Sequence, residues 1–382
     1  MAFTGVAIYD IFDAEIGEDV ADIVTNISPS KTKFLDDIGD GDSPLTSKAY
    51  SWEEKALLPD TYSNSSAIAS NAGAAIGVEV GANAALLRVN DIMRVQIAGN
   101  EMMRIASIGT SAATIYMQRA YAGTSANSLA AGSTMDFLGS ALEEGTGIRT
   151  QRRRGRVLKT NFVQTFREDI NLSSLTTNTK FKAAGAPDPF EEEKIDKTAE
   201  VLKQLERAVL MGRTNGNTIG ADDTETTMAG IYSSIATNIT SHATFSNSIL
   251  NNMFSQVDDS TDLAGEIDKY ALYAGRTAFR KLSNTRSGRI REVMADETAG
   301  VKAATMYESD FGPLPVQYIR WLPTGSILAL RKDFIDVVPF AGNSFQAKEY
   351  ERGNIAREAY VAGTYGLRFK HEAAHGRLDG IA

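Results

Sequence analysis

The sequence predicts an α+β fold built from many short strands and turns, with one long helix as its rigid axis and a small all-β module set into the main body. Three observations carry this reading. One stretch, Pro187 to Gly212, is a long and well-punctuated helix; much of the remainder alternates apolar and polar residues in short runs; and 32 glycines against 9 prolines, with many Ser, Thr, Asn and Ala residues, supply frequent turns.

The helix is specified at both ends. Asp188 suits the N-cap, Pro189 the first helical position, and Glu191 completes a capping box three residues later. Asp188, Glu191, Glu192, Glu193, Asp196 and Glu200 crowd the first half, where the helix dipole favours negative charge, and Arg207 and Arg213 lie near the other end. Ile195, Thr198, Ala199, Leu202, Leu205, Ala208 and Val209 recur at three- and four-residue spacing, so Ile195, Leu202, Leu205 and Val209 are the expected core contacts, and Gly212 is a natural stop. About 24 residues at 1.5 Å rise make a rod of roughly 36 Å. It carries no catalytic group on its apolar stripe.

The chain of 382 residues is long enough for two or three lobes with real cores. Absence of cysteine removes disulfides, thiolate catalysis and thiolate metal sites, and fits assembly in a reducing cytoplasm. The first twenty residues lack a basic n-region, and nowhere do 18 apolar residues run together, so neither a signal peptide nor a membrane span is expected. A net charge of −9 argues against a protein whose overall field gathers nucleic acid.

Taken in order, residues 1–50 combine a short acidic amphipathic piece, Ile8 to Val24, with a segment broken by Pro29, Gly39, Gly41 and Pro44, which suits a terminal arm or a flexible tail. Tyr50 and Trp52 open an extended stretch. From about 77 to 139, runs such as IMRVQIAG, EMMRIASIG and ATIYMQRAYAG separated by turn residues read as the all-β module. Residues 149–159 then hold Arg149, Arg152, Arg153, Arg154, Arg156 and Lys159 without one acid. Three readings compete for this cluster: contact with a neighbouring subunit, contact with nucleic acid, or a solvated charge run. The acidic opening of the long helix, with Glu191, Glu192 and Glu193, offers a neighbour's arginines a partner, whereas the stacking aromatics of a nucleic-acid surface are missing. Residues 162–174 read as extended strands. Glycine-rich residues 213–227 lack the Gly-Lys-Ser/Thr ending of a phosphate loop. A helix near 246–257, a strand at KYALYA, a second basic helix beginning at Gly275, and a series of strands from LPVQYIRWLP to EAYVAGTYGLRF complete the chain.

Residues 371–375, HEAAH, match the zinc-hydrolase pattern of two histidines one helical turn apart with a glutamate between them. The context opposes it: the preceding residues alternate like a strand, Gly376 follows at once, and Asp379 is the sole downstream candidate for a third ligand. His371 and His375 are therefore expected at strand ends, with no catalytic residue, metal or cofactor.

The order of features is more telling than any one motif. TKFLDDIGDGDSPLTSKAYSWEEKALLPD, then RVNDIMRVQIAGNEMMRIASIG and RAYAGTSANSLAAGSTM, then KQLERAVLMG, then FGPLPVQYIRWLPTGSILAL and REAYVAGTYGLRFKHEAAHGRLDGI resemble the major capsid proteins of tailed bacteriophages, in particular the SU-ten-like family, from about residue 30 onward. The resemblance implies the Hong Kong 97 type capsid fold. Residues 1–50 would form the N-terminal arm, 51–180 an extended loop carrying the β insert, 181–224 a peripheral domain with the long spine helix, 225–325 the axial domain, and 326–382 the return to the peripheral domain. It implies self-assembly into hexamers and pentamers of an icosahedral shell around double-stranded DNA, held by weak contact, in a virion assembled in the bacterial cytoplasm. The implied partners are the chain itself, a portal protein, a separate scaffolding protein and a decoration or cement protein. No charged coiled-coil leader precedes the arm, a departure from family members with a long removable pro-segment that leaves proteolytic maturation an open question. A cellular nanocompartment of the same fold is the alternative, and a zinc hydrolase through HEAAH the remote one.

Overall fold

A computed structural model describes residues 32–39, 41, 43–56, 58–69, 75–79, 84–96, 100–109, 114–149, 151–173, 189–215, 225–261, 263, 265–287, 306–350 and 356–382. The expected N-cap at Asp188 and the Ile8 to Val24 segment lie outside them. The chain forms two compact units: Glu53–Leu158, and Met1–Trp52 together with Lys159–Ala382.

The first described element is a short helix α1 (Lys33–Ile38), followed by strand β1 (Ala49–Glu54). The unit 53–158 contains β2 (Thr61–Ser63), β3 (Ala75–Glu79), β4 (Asp91–Val95), β5 (Met102–Ile108), β6 (Thr114–Gln118) and β7 (Thr134–Ser140), paired antiparallel in the order β2-β7-β4-β5-β6-β3. The three alternating runs of the sequence become β4, β5 and β6. Alternation puts Met93, Val95, Met103, Ile105, Ile115, Met117 and Met135 on one buried face, where they pack with Tyr62, Leu87 and Leu129. At one end the fully buried Arg119 and Glu101 form an ion pair, with Arg119 Nε donating to Glu101 Oε1 at 2.8 Å. Glu101 also accepts the N–H groups of Ala120 and Asn127, so one carboxylate organises the turn after β6; burial alone would raise its pKa, but the Arg119 bonds hold it below the ordinary value.

The chain continues through β8 (Val157–Phe162), which pairs with β1, and β9 (Gln164–Ser173). The spine helix α2 (Pro189–Met211) follows, then α3 (Ile231–Ser234), β10 (Ile239–Ser241), α4 (Asn247–Asp258), β11 (Tyr270–Ala274) and α5 (Arg276–Ser287). The last elements are β12 (Met306–Ser309), β13 (Gly312–Tyr318), β14 (Ile327–Arg331), β15 (Ile335–Pro339), β16 (Gln346–Glu349), β17 (Ala356–Phe369) and β18 (Gly376–Asp379).

Two sheets organise this second unit. One has six strands in the order β10-β18-β14-β11-β13-β12. Its central strands β11 and β14 are buried at every position, which is why YALYA and ILALR are unbroken apolar runs apart from the terminal Arg331. Ala271, Tyr273, Leu328 and Leu330 face a core shared with the spine helix, while Tyr270, Leu272, Ala274, Ile327 and Ala329 face a second core under α4 and α5. In the other sheet the 14-residue β17 is central, with β9 along one partner register and β15 and β16 along the other. Gly366 of β17 lies where a Cβ would meet Leu45 Cδ1 at 2.6 Å and the Tyr50 ring at 2.7 Å, so only glycine admits that packing. Residues 327–379 thus serve both sheets.

The spine helix departs from the expected core. Leu205 and Val209 are buried as expected, but Leu202 is only half-buried and Ile195 is 70% exposed. Ile195 is on the expected line, since seven residues at 100° each bring it to within about 20° of Leu202. The difference is one of cover: between Glu191 and Glu200 no residue is buried, and buried positions resume only at Val201. The true anchors are Phe190, Val201, Leu205, Val209 and Leu210.

Candidate assembly surfaces

The arginine segment divides into two kinds of residue. Arg152 belongs to the all-β unit: its guanidinium reaches the fully buried Asp91 at 2.5 Å, donates to Ser140 Oγ at 3.0 Å and covers the Phe137 ring at 4.9 Å. Asp91 also accepts the Arg88 N–H at 2.8 Å and the Ser140 hydroxyl at 2.6 Å. Arg149 donates to the Val89 carbonyl. Arg149 and Arg152, two of the candidate contact residues, thus make hydrogen bonds inside their own chain. Arg153, Arg154 and Arg156 are exposed; Arg156 pairs at the surface with Glu53 at 2.5 Å. Lys55, Ala56 and Leu58 join Gln151 and Arg152 to Arg154 around an open hollow of about 390 Å³. The crowding is electrostatically felt: Arg88 has its pKa lowered by desolvation and then by Arg152 and Arg149. The same stretch carries uncovered apolar groups, with Ile148, Val157 and Leu158 all exposed.

The acidic opening of α2 is partly engaged. Glu191 Oε1 accepts from Lys194 at 2.8 Å, and Lys194 also reaches Glu349 at 2.5 Å; these bonds, Glu191 first, raise the lysine's pKa. Glu193 is 3.9 Å from Lys197, a long contact, and Glu192 is half-buried. Phe190 anchors this end between Lys194 and Arg357, 4.7 Å and 3.9 Å from its ring centre. Ile195 itself is 70% exposed, while Thr198, Ala199 and Leu202 on the same face are half-buried.

Sequence reasoning missed one residue on the helix. Glu206 lies among the apolar anchors with 1% of its surface exposed, faces α1, accepts the Phe34 N–H, and keeps its Oε2 without a partner. An acid between Leu205 and Val209 was the available signal. Burial pushes its pKa up from 4.5 to about 7, and the negative charge of Asp36 adds to the shift.

HEAAH does not form a helical turn that could present two histidines together. His371 has φ 47°, Glu372–Ala374 is a single 3₁₀ turn, and His375 leads into β18. His375 is fully buried: its Nδ1 accepts the Arg331 N–H at 3.2 Å and its Nε2 is 3.2 Å from the Lys370 carbonyl. Desolvation pushes its pKa down to about 3. Glu372 is a backbone clamp: burial favours its neutral form, but the N–H groups of Ala236 and Thr237 and the Thr237 hydroxyl outweigh that and hold the pKa below the ordinary value. Among the described residues no group of three or more His, Asp or Glu side chains converges on a metal position, and no described helix is long and apolar enough to cross a membrane.

A long helix packed on the sheets of the second unit has the fold of Hong Kong 97 type capsid structures. The profile of the family described as SU10 major capsid protein matches residues 3–382, and the chain belongs to that family. The fold is similar to the cyanophage A-1(L) capsid asymmetric unit, with TM-score 0.55 and 9% identity over 97% of this chain and 98% of that one. It is also similar to the capsid of an empty GTA particle, with TM-score 0.53 and 9% identity over 98% of both chains. Comparison with curated proteins gives no match. As a major capsid protein it is a component of the virion shell.

Proposed function

We propose that copies of this chain join by laying the basic stretch 148–158 of one subunit against the exposed Ile195 and the acids around it on the spine helix of the next. The observation that carries this is Ile195, 70% exposed on the same stripe as the buried Leu205 and Val209 and set among acids. The opposing stretch has the complementary character, with exposed Arg153, Arg154 and Arg156 beside Ile148, Val157 and Leu158. Apolar contact supplies affinity and opposite charge fixes register. Repeated by symmetry, such moderate contacts close hexamers and pentamers into an icosahedral shell around double-stranded DNA.

On this reading α2 with β9 and β15–β17 is the peripheral part, the region near 225–325 supplies most of the axial part, and the 53–158 unit is a decorating insert. Portal, scaffolding and cement proteins are separate partners, assembly takes place in the bacterial cytoplasm, and the net −9 suits a container that holds DNA by weak contact. Electron microscopy of the expressed chain tests the reading: closed or aberrant shells are expected, and a persistent monomer overturns it. Nuclease-protected DNA in native particles separates a virus head from a protein compartment.

A further inference from the structure

We propose that Glu206 is a protonation-controlled latch that sets how firmly the arm segment 33–45 is held to the body of the subunit. The segment is fastened at several points. Phe34 is fully buried and meets the Tyr273 ring edge-on at 5.0 Å. Asp37 takes hydrogen bonds from the Tyr273 hydroxyl and from Lys332, the latter at 2.7 Å. Gly41 N–H donates to the Val337 carbonyl at 2.8 Å, and Leu45 bridges to Phe340 beyond β15. Most of these contacts are satisfied and apolar or ion-paired.

Glu206 is the exception. Its carboxyl is buried at the junction of α1 and α2, takes one backbone N–H from Phe34, and leaves Oε2 unpartnered. The charged group of α1 that acts on it is Asp36, of like sign, while Asp37 is occupied by Lys332 and Tyr273. On its own helix the neighbouring Arg207 is turned to the Trp321 ring, 5.2 Å away. Ionised, the carboxylate is desolvated and repelled by Asp36; protonated, it is a neutral acceptor in an apolar joint.

The sign of the effect follows from the raised pKa. The docked state holds the proton more tightly than the open state, so docking weakens as pH rises from 4.5, and the full penalty is reached above about 7. With those two values, the opening equilibrium of the arm increases about tenfold between pH 6 and pH 8.

The test is amide hydrogen exchange of residues 33–45 in the full-length protein, unassembled and in shells, expressed as protection factors at pH 6 and pH 8. Protection in the unassembled wild type should fall about tenfold across that interval, in Glu206→Gln it should stay level, and in Asp36→Asn the fall should shrink. Level protection in the wild type, or an undiminished fall in both variants, overturns the proposal. Asp36→Asn leaves the α2 core untouched, so it decides the matter even if Glu206→Gln folds poorly.

Discussion

Truncating Arg152 to alanine should loosen the all-β unit, even though the residue sits in a run of surface arginines. Its guanidinium is one of three partners of Asp91, whose side chain is completely buried, and is itself only 13% exposed. Removing one member of a buried ion pair costs about 3–5 kcal/mol because the other charge is left behind. Here the Arg88 N–H and Ser140 hydroxyl remain on the carboxylate, which brings the expected cost to about 2–3 kcal/mol. Exchange protection in β4 and β7 should then fall by about 30- to 140-fold. Arg153→Ala with Arg154→Ala should change the same amides by less than about 0.5 kcal/mol while reducing particle yield. A loss of less than about threefold for Arg152→Ala, or equal losses for the double variant, would refute this division of the cluster into an internal member and outward members.

Other outcomes follow from the geometry. Leu205→Ala removes a side chain that is 3% exposed and should cost about 2–5 kcal/mol in denaturant unfolding of the subunit. Ile195→Ala should leave subunit stability within about 0.5 kcal/mol of wild type but lower the yield of closed shells; normal assembly would remove Ile195 from the contact. His375, with its pKa pushed down to about 3, should show no imidazole titration by NMR between pH 8 and pH 5. Its folded pKa lies below the unfolded value of 6.5, so the subunit loses stability as pH falls below 6.5, most fully below about 3, and a variant lacking the imidazole should be spared that component.

Much of the fold could be read from periodicity because local rules and tertiary structure agree there. The alternating runs at 91–95, 102–108 and 114–118 became strands, and the unbroken YALYA became a fully buried one. The spine helix was legible as an element, but not where its burial begins. Ile195 and Leu202 have the same local signature, and only the placement of other elements leaves one bare. The arginine cluster is legible only in part for a related reason: composition shows that charge is concentrated, but not that Arg152 bonds an aspartate 61 positions earlier in the chain. HEAAH shows the reverse, a short motif whose expected geometry depends on a helix that the flanking strands β17 and β18 replace. Glu206 was hardest to see, since an acid in a helix reads as solvated until α1 is found lying over it.

The sheet around β17 has a consequence for how the protein is made. Thr165 of β9 meets Thr364 of β17 across 199 positions of sequence, so β9 has no neighbour on that side until the ribosome has synthesised nearly everything between them. The β meander between residues 91 and 118, whose partners are close in sequence, can fold long before. A nascent chain can therefore display a finished all-β unit while the layer beneath the spine helix is still missing. Polypeptides that stop short of β17 would lack the surface that supports the helix, and a prematurely terminated product would be unfit to take a place among complete subunits.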